Sequence, residues 1–345
     1  MKTFGEISMK KSLIALAVLS AVAGVAQAQS SVTMYGVLDM AIQGENRGGT
    51  GNKYALDSGI QSGSRLGFKG TEDLGSGLKA NFNLEMGINA DTGASAQGAT
   101  FGRNATVGLS GDFGAVNLGR QNIPLFNAVD SIDPFSTGMI SGTAGVGTSG
   151  YGAAAFFVPV INPRSNNTVN YTSNNYSGFS ATGAYTFGEQ AGSLTPQRQM
   201  GASTTYSAGP ITAIAAYHAA GAVPGAYTTQ RIAFAGATYD FGMLKAAASY
   251  GRYTGGKAWM LGATVPVSAV GSVVASVTQA TNNYFSNENK GTQFGIGYTH
   301  SLSKRTNLYT SYSRTRNDAN SNAGGLASGN GKTDNMANVG IRHMF

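Results

Sequence analysis

Cysteine is absent from the 345 residues, which removes thiol redox chemistry, Cys-ligated metals and a disulfide framework together. Charge is scarce. Lys, Arg, Asp and Glu make up 11% of the chain, against roughly a quarter of an ordinary soluble domain. Histidine occurs three times, at His218, His300 and His343, on separate segments without flanking catalytic residues. No Gly-x-Ser-x-Gly elbow, His-Glu-x-x-His or phosphate-binding loop is present, so catalysis is not expected. No spacing suits a metal and no cofactor is implied. The net charge of +7 is not gathered into a basic cluster with interleaved aromatics, so nucleic acid is not an expected partner. Long apolar runs are also missing. Beyond the N-terminal region nothing approaches the roughly twenty apolar residues of a membrane helix.

What is abundant points elsewhere. There are 50 Gly, 16 Tyr and 16 Phe, and the mean hydropathy is near zero. A membrane β-barrel crosses with roughly ten residues per strand, alternate side chains facing lipid and lumen, so its average hydropathy stays neutral. The N-terminus reads as an export signal: Lys10 and Lys11 are its basic start, 13–25 its apolar stretch, and Ala26-Gln27-Ala28 its small-x-small cleavage site. Residues 1–28 are thus expected to be a signal peptide, with Met9 the natural start and 1–8 an upstream extension, and the mature chain to begin at Gln29.

The mature chain alternates with period two between Asp, Asn, Gly and Ser clusters. Val32, Met34, Leu38, Met40 and Ile42 share one face of the first strand; Thr33, Tyr35 and Asp39 share the other. Leu78, Ala80, Phe82, Leu84, Met86 and Ile88 stand against Lys79, Asn81, Asn83 and Glu85. One residue of slip there would put Lys79 and Glu85 in lipid, at about 2–4 kcal/mol for a mid-bilayer Lys. Short connections at 72–76, 111–114, 173–177, 208–209, 240–242, 268–270 and 303–305 alternate with longer ones at 44–58, 90–99, 121–163, 190–197, 221–227, 254–256, 282–291 and 317–334. Together they join sixteen strands in an all-β, antiparallel transmembrane barrel. The 121–163 insertion breaks the cadence. It carries Leu125, Phe126, Phe135, Phe156 and Phe157 but only two charges, Asp130 and Asp133, so it is expected to fold into the bore as constriction loop 3.

Several motifs carry a family likeness. Ser31-Val-Thr-Met-Tyr-Gly-Val-Leu-Asp39, Ser64-Arg-Leu-Gly-Phe-Lys-Gly-Thr-Glu-Asp-Leu-Gly-Ser-Gly-Leu-Lys-Ala80, Val107-Gly-Leu-Ser-Gly-Asp-Phe-Gly114, Leu118-Gly-Arg-Gln121 and Val339-Gly-Ile-Arg-His-Met-Phe345 resemble, in this order, the general trimeric, sixteen-stranded porins of Gram-negative outer membranes, most closely the β-proteobacterial type. The resemblance implies an outer-membrane homotrimer in contact with lipid and lipopolysaccharide. It implies a passive diffusion channel for small hydrophilic solutes and ions, with wall arginines facing acids on the third long loop. The matching positions are Arg65, Arg103 and Arg120 on the wall, and Asp130 and Asp133 on the loop. The Pro-Glu-Phe-Gly-Gly loop motif of the enterobacterial branch is absent. Three Arg against two Asp imply a preference for anions. The alternatives are a substrate-specific outer-membrane channel, a surface receptor, or a soluble secreted β-sandwich.

Alternation conflicts with two of these arginines. Arg103 shares a phase with Ala105, Val107 and Leu109, and Arg120 with Val116 and Leu118. Either a bulge reverses the phase, or the apolar face of that hairpin points inward. The second is expected for Arg103 and a phase break at the loop start for Arg120. For Asp130 and Asp133 the competing reading is a loop-capping role.

Overall fold

The computed structural model describes residues 31–49, 51–140, 154–157, 162–221, 229–282 and 289–345; the expected signal peptide and its cleavage site lie outside the described residues. The strands are β1 (Ser31–Asn46), β2 (Asn52–Ser58), β3 (Arg65–Gly75), β4 (Leu78–Asn89), β5 (Ala94–Ser95), β6 (Asn104–Gly111), β7 (Gly114–Asn122), β8 (Arg164–Thr172) and β9 (Phe179–Thr186). They continue as β10 (Gln199–Ala208), β11 (Ile211–Ala220), β12 (Gln230–Asp240), β13 (Lys245–Tyr253), β14 (Gly256–Pro266), β15 (Gly271–Asn282), β16 (Asn289–Ser301), β17 (Thr306–Asn317) and β18 (Asp334–Met344). All pair antiparallel with their neighbours, and β1 closes the ring against β18 on one edge and β3 on the other. Phe345 completes the seam by exchanging backbone hydrogen bonds with Gly36. Setting aside the accessory β2 and β5, sixteen strands form a closed barrel.

Six of the seven short turns fall where the sequence places them; the first lies at 76–77, past the expected 72–76, because β3 runs on to Gly75. The long connections carry more structure than expected. Residues 44–58 are not a loop: β1 runs on to Asn46 and β2 folds back along it, pairing Asn46 with Asn52 and Met40 with Ser58. The chain then leaves the ladder at 59–64 before β3 takes up the same edge of β1 at Val37. The 121–163 insertion is likewise not structureless. Its first described part is a helix, α1 (Pro124–Ile132), and a short helix, α2 (Ala154–Phe157), lies further on. Pro124 occupies the first helical turn, where a missing N–H costs nothing. Leu125, Phe126, Ala128, Val129 and Ile132 recur at helical spacing and are all buried.

Exposure separates the two faces of the wall. On β1, Val32 and Ile42 are 67% and 63% exposed, whereas Asp39 and Gln43 are 0% and 1%. Apolar side chains point outward, where lipid solvates them, and polar ones point to the other face. Helix α1 packs on that inner phase. Leu125, Val129 and Ile132 cluster with Ile214, Ala216, Ile232, Phe234 and Met260, joined by Phe156 and Phe157 of α2, while Tyr217 and Leu261 of the same strands are exposed on the opposite phase. Met139 and Ile140 reach a different arc. Ser311 and Asn338 donate to the Met139 carbonyl at 2.7 and 2.8 Å, and Gln293 donates to the Ile140 carbonyl at 2.9 Å.

Candidate functional site

Among the described residues, the side chains of Arg65, Arg103 and Glu85 come together on the inner phase of β3 and β4. Arg65 opens β3 and Glu85 lies on β4, diagonal to it, since Gly67 pairs with Glu85 and Arg65 with Gly87. Glu85 receives two guanidinium groups: Arg103 Nε donates to Oε1 at 2.7 Å, and Arg65 Nε stands 3.8 Å from Oε2. Tyr35 of β1 donates its hydroxyl to Glu85 Oε2 and to Asn83, both at 2.9 Å, and Lys69 lies over its ring. Two cations on one carboxylate leave net positive charge, and the planar Arg forks fix its place on the wall.

Arg103 gets inside by a route other than the expected one. Val107 and Leu109 are exposed at 59% and 43%, and Ser110 bonds inward to Asn81, so the apolar face of β6 points outward. Arg103 stands in the bend just before β6, its amide donating to the Glu85 carbonyl. Alternation does not bind a residue outside the ladder. Arg120 also departs from expectation. The register does shift at the end of β7, where Gly119 sits at φ +125, but the extra residue belongs to β8: Gly119 to Gln121 is matched by Thr168 to Ser165. β7 therefore keeps its phase. Arg120 stands opposite Ala105, in line with Leu118 opposite Val107, and its guanidinium donates to the Gly102 carbonyl and to Asn166 at 2.7 and 2.6 Å. Neither of these two bonds involves Glu85.

The two loop acids divide. Asp133 is buried and accepts the backbone amides of Phe135 and Thr137 at 3.0 and 3.1 Å, the geometry of a capping carboxylate that shapes the turn. Asp130 accepts the Thr137 hydroxyl at 2.7 Å. Burial pushes its carboxyl above the ordinary value, while that hydroxyl and the charge of Arg65 pull the other way. Asp130 thus lies within the electrostatic reach of Arg65, and the Asp133 carboxylate accepts from the loop's own backbone.

Two further residues complete the group. Arg342 of β18 lies opposite Asp39 in the inner phase, bonded to Asn307 at 3.0 Å. The alternation of Val339 and Ile341 with Gly340 and Arg342 put it on that phase in the sequence. Asp39 accepts the Tyr309 hydroxyl and the Ser62 amide, anchoring the 59–64 excursion from which Arg65 emerges. That contact spans 270 residues and had no local signal. The three histidines each meet a local strand neighbour: His218 with Gln199, His300 with Tyr298 and His343 with Thr306.

A closed sixteen-stranded antiparallel barrel, apolar outside and polar within, is the architecture of an outer-membrane channel. A family model described as Gram-negative porin matches residues 15–320. Outer membrane porin protein 32 of Delftia acidovorans is 38% identical over 98% of this chain and 100% of its own length. An outer membrane porin protein of Bordetella pertussis is 32% identical over 98% and 100%. Among solved structures, the anion-selective porin from Comamonas acidovorans superposes with a TM-score of 0.79 at 34% identity, covering 92% of this chain and all of that one. The trimer form of OmpT from Vibrio cholerae shares the fold at 16% identity, with a TM-score of 0.68 over 92% and 99%. The chain belongs to the Gram-negative porin family and is an outer-membrane β-barrel.

Proposed function

We propose that this porin is a passive diffusion channel for small hydrophilic solutes that prefers anions, with its narrowest point between the Arg65–Arg103–Glu85 group and the 123–140 segment lying within the bore. The observation that carries the reading is the pair of arginines converging on the single carboxylate of Glu85. Arg342 and Lys69 add positive charge on the same phase, and Asp130 opposes it from the loop. A low-dielectric wall focuses such a field, and the acids keep anions from binding too tightly to leave. The similar anion-selective porin from Comamonas acidovorans supports the sign. A homotrimer is the assembly we infer, in line with the trimeric form known for the Vibrio protein, and cleavage after Ala28 is the maturation step.

The test is bilayer recording on purified protein. Reversal potentials in a salt gradient should show chloride preferred over potassium, and insertion should occur in three equal current steps. Cation preference in the native protein would overturn the reading, as would unchanged selectivity in both Arg65→Ala and Arg103→Ala. A solute that saturates and blocks the current would favour a substrate-specific channel instead.

A further inference from the structure

Where the end of β1 meets the start of β18, two acids come together on the inner phase. Glu45 stands opposite Met336, one inner-phase step from Asp334, and the two carboxylates are within electrostatic reach of each other. Both are buried, at 3% and 1% exposure. Neither Glu45 oxygen has a hydrogen-bond partner, and neither does Asp334 Oδ1. Among the described residues no ion pair reaches either carboxylate. Arg47 and Lys53 act on Glu45 through space, as does the like charge of Asp57. Arg47 donates instead to the Leu326 and Ala327 carbonyls, at 2.5 and 3.2 Å.

The neighbouring side chains add more oxygen. Gln43 is the next inner-phase residue of β1, buried, with its Oε1 unpartnered. Thr315 of β17 stands directly opposite Asp334, fully buried, with its hydroxyl oxygen unpartnered. A buried carboxylate with no partner is costly, and something must neutralise it. A proton shared between the two acids would serve at most two of these oxygens, and the Gln43 carbonyl can only accept. A hard divalent cation takes about six to eight oxygens, with water filling the places that protein leaves open. Calcium suits such a set better than magnesium, which demands a small octahedron and gives up its waters reluctantly.

We propose that Glu45 and Asp334 bind a calcium ion on the inner wall, with Gln43 Oε1 and Thr315 Oγ1 as further oxygens and water completing the shell. The ion neutralises the buried pair and ties the end of β1 to the start of β18, beside the seam that closes the barrel. Both residues border long connections, which mark the extracellular end of such a barrel. Arg47 and Lys53 hold the affinity down, so the dissociation constant falls in the range of about 0.1–1 mM typical of extracellular calcium sites.

The experiment follows thermal unfolding of the detergent-purified full chain in EDTA, in calcium and in magnesium. Calcium at about 10 mM should raise the midpoint by about 2–5 °C, and magnesium by less than half as much. Asp334→Asn should weaken calcium at least about tenfold, because the site loses a charged ligand. Glu45→Gln/Asp334→Asn should lose the calcium increment altogether. In EDTA that double variant should melt no lower than the native chain, since its buried charges are gone. Asp57→Asn removes an acid felt by Glu45 and should keep the increment, which separates a site from a general acidic field. No calcium increment in the native chain overturns the proposal and leaves the pair to share a proton. An equal increment in the double variant overturns it by placing the ion elsewhere, and an equal effect of magnesium does so by reducing it to screening. A double variant that melts lower in EDTA overturns it too, since the acids are then structural without metal. None of these readouts depends on ion selectivity.

Discussion

The amide of Met139 donates to the carbonyl of Ile60 at 2.6 Å. The bond joins the β7–β8 connection to the place where the β2–β3 edge leaves its ladder. Ile60, Phe135, Met139 and Ile140 pack together there with Ala41, Val274 and Tyr309. A break in a strand and the fold of a distant loop thus stabilise each other, and Arg65 begins the strand directly after the break. The space is tight at Gly138, where an added Cβ would collide with the Gln61 carbonyl. Gly138→Ala is expected to displace the loop tip, at a cost of about 1–3 kcal/mol. Single-channel records should show noisier open current, and the thermal midpoint should fall; an unaltered record would mean that the tip does not bear on the pore.

Removing Glu85 should strengthen anion preference. Its carboxylate is the shared partner of Arg65 and Arg103. In a watery pore one unit charge about 7 Å from an ion's path is worth about 0.6 kcal/mol at ε of about 80, or roughly threefold in relative permeability. Glu85→Gln keeps the shape and an acceptor for Arg103, so reversal potential should shift toward the chloride limit by that factor.

The two doubtful arginines should behave oppositely. Arg103→Ala takes a cation from Glu85 and should lower anion preference by a similar factor. Arg120→Ala removes a guanidinium bonded to the Gly102 carbonyl and Asn166, in the phase of Leu118, and should leave selectivity nearly unchanged while loosening the start of the loop. Parallel reversal-potential measurements separate the two; equal effects would return Arg120 to the pore.

This contrast marks how far alternation can be read. Six of the seven short turns, the closing strand and the phase of Tyr35, Asp39 and Glu85 were legible, because a slip of one residue would drive charges into hydrocarbon. The likeness to porin motifs pointed to Arg65 and Arg103. Alternation misjudged Arg103 because it stands in a bend, where period two no longer constrains the backbone. It misjudged Arg120 because the extra residue sits across the ladder, in β8, where β7's own sequence carries no trace of it. Helix α1 was missed because its nine residues were read only as apolar anchors in an insertion, although Leu125, Val129 and Ile132 recur at helical spacing.

The buried anchor beneath the strand break gives a stability prediction. Asp39 is fully buried, and its carboxylate accepts the Tyr309 hydroxyl and the Ser62 amide. Tyr309→Phe leaves a buried acceptor short of a donor, which costs about 1–3 kcal/mol. The heat-induced shift from folded to unfolded mobility should occur at lower temperature, while Tyr312→Phe, whose hydroxyl is on the exposed phase at Asn335, should change little.

Selectivity should depend on pH through Asp130. Burial raises its carboxyl above the ordinary value, so protonation begins at a pH above that of a solvent-exposed Asp. As pH falls through that window the loop loses a negative charge, and the positive charge of the wall is opposed by less. Anion preference should therefore rise on mild acidification, and the rise should begin before exposed carboxylates titrate. Asp130→Asn should show the raised preference at neutral pH and abolish this part of the pH response. A fall in anion preference over the same window, or an identical response in Asp130→Asn, would place the controlling acid elsewhere.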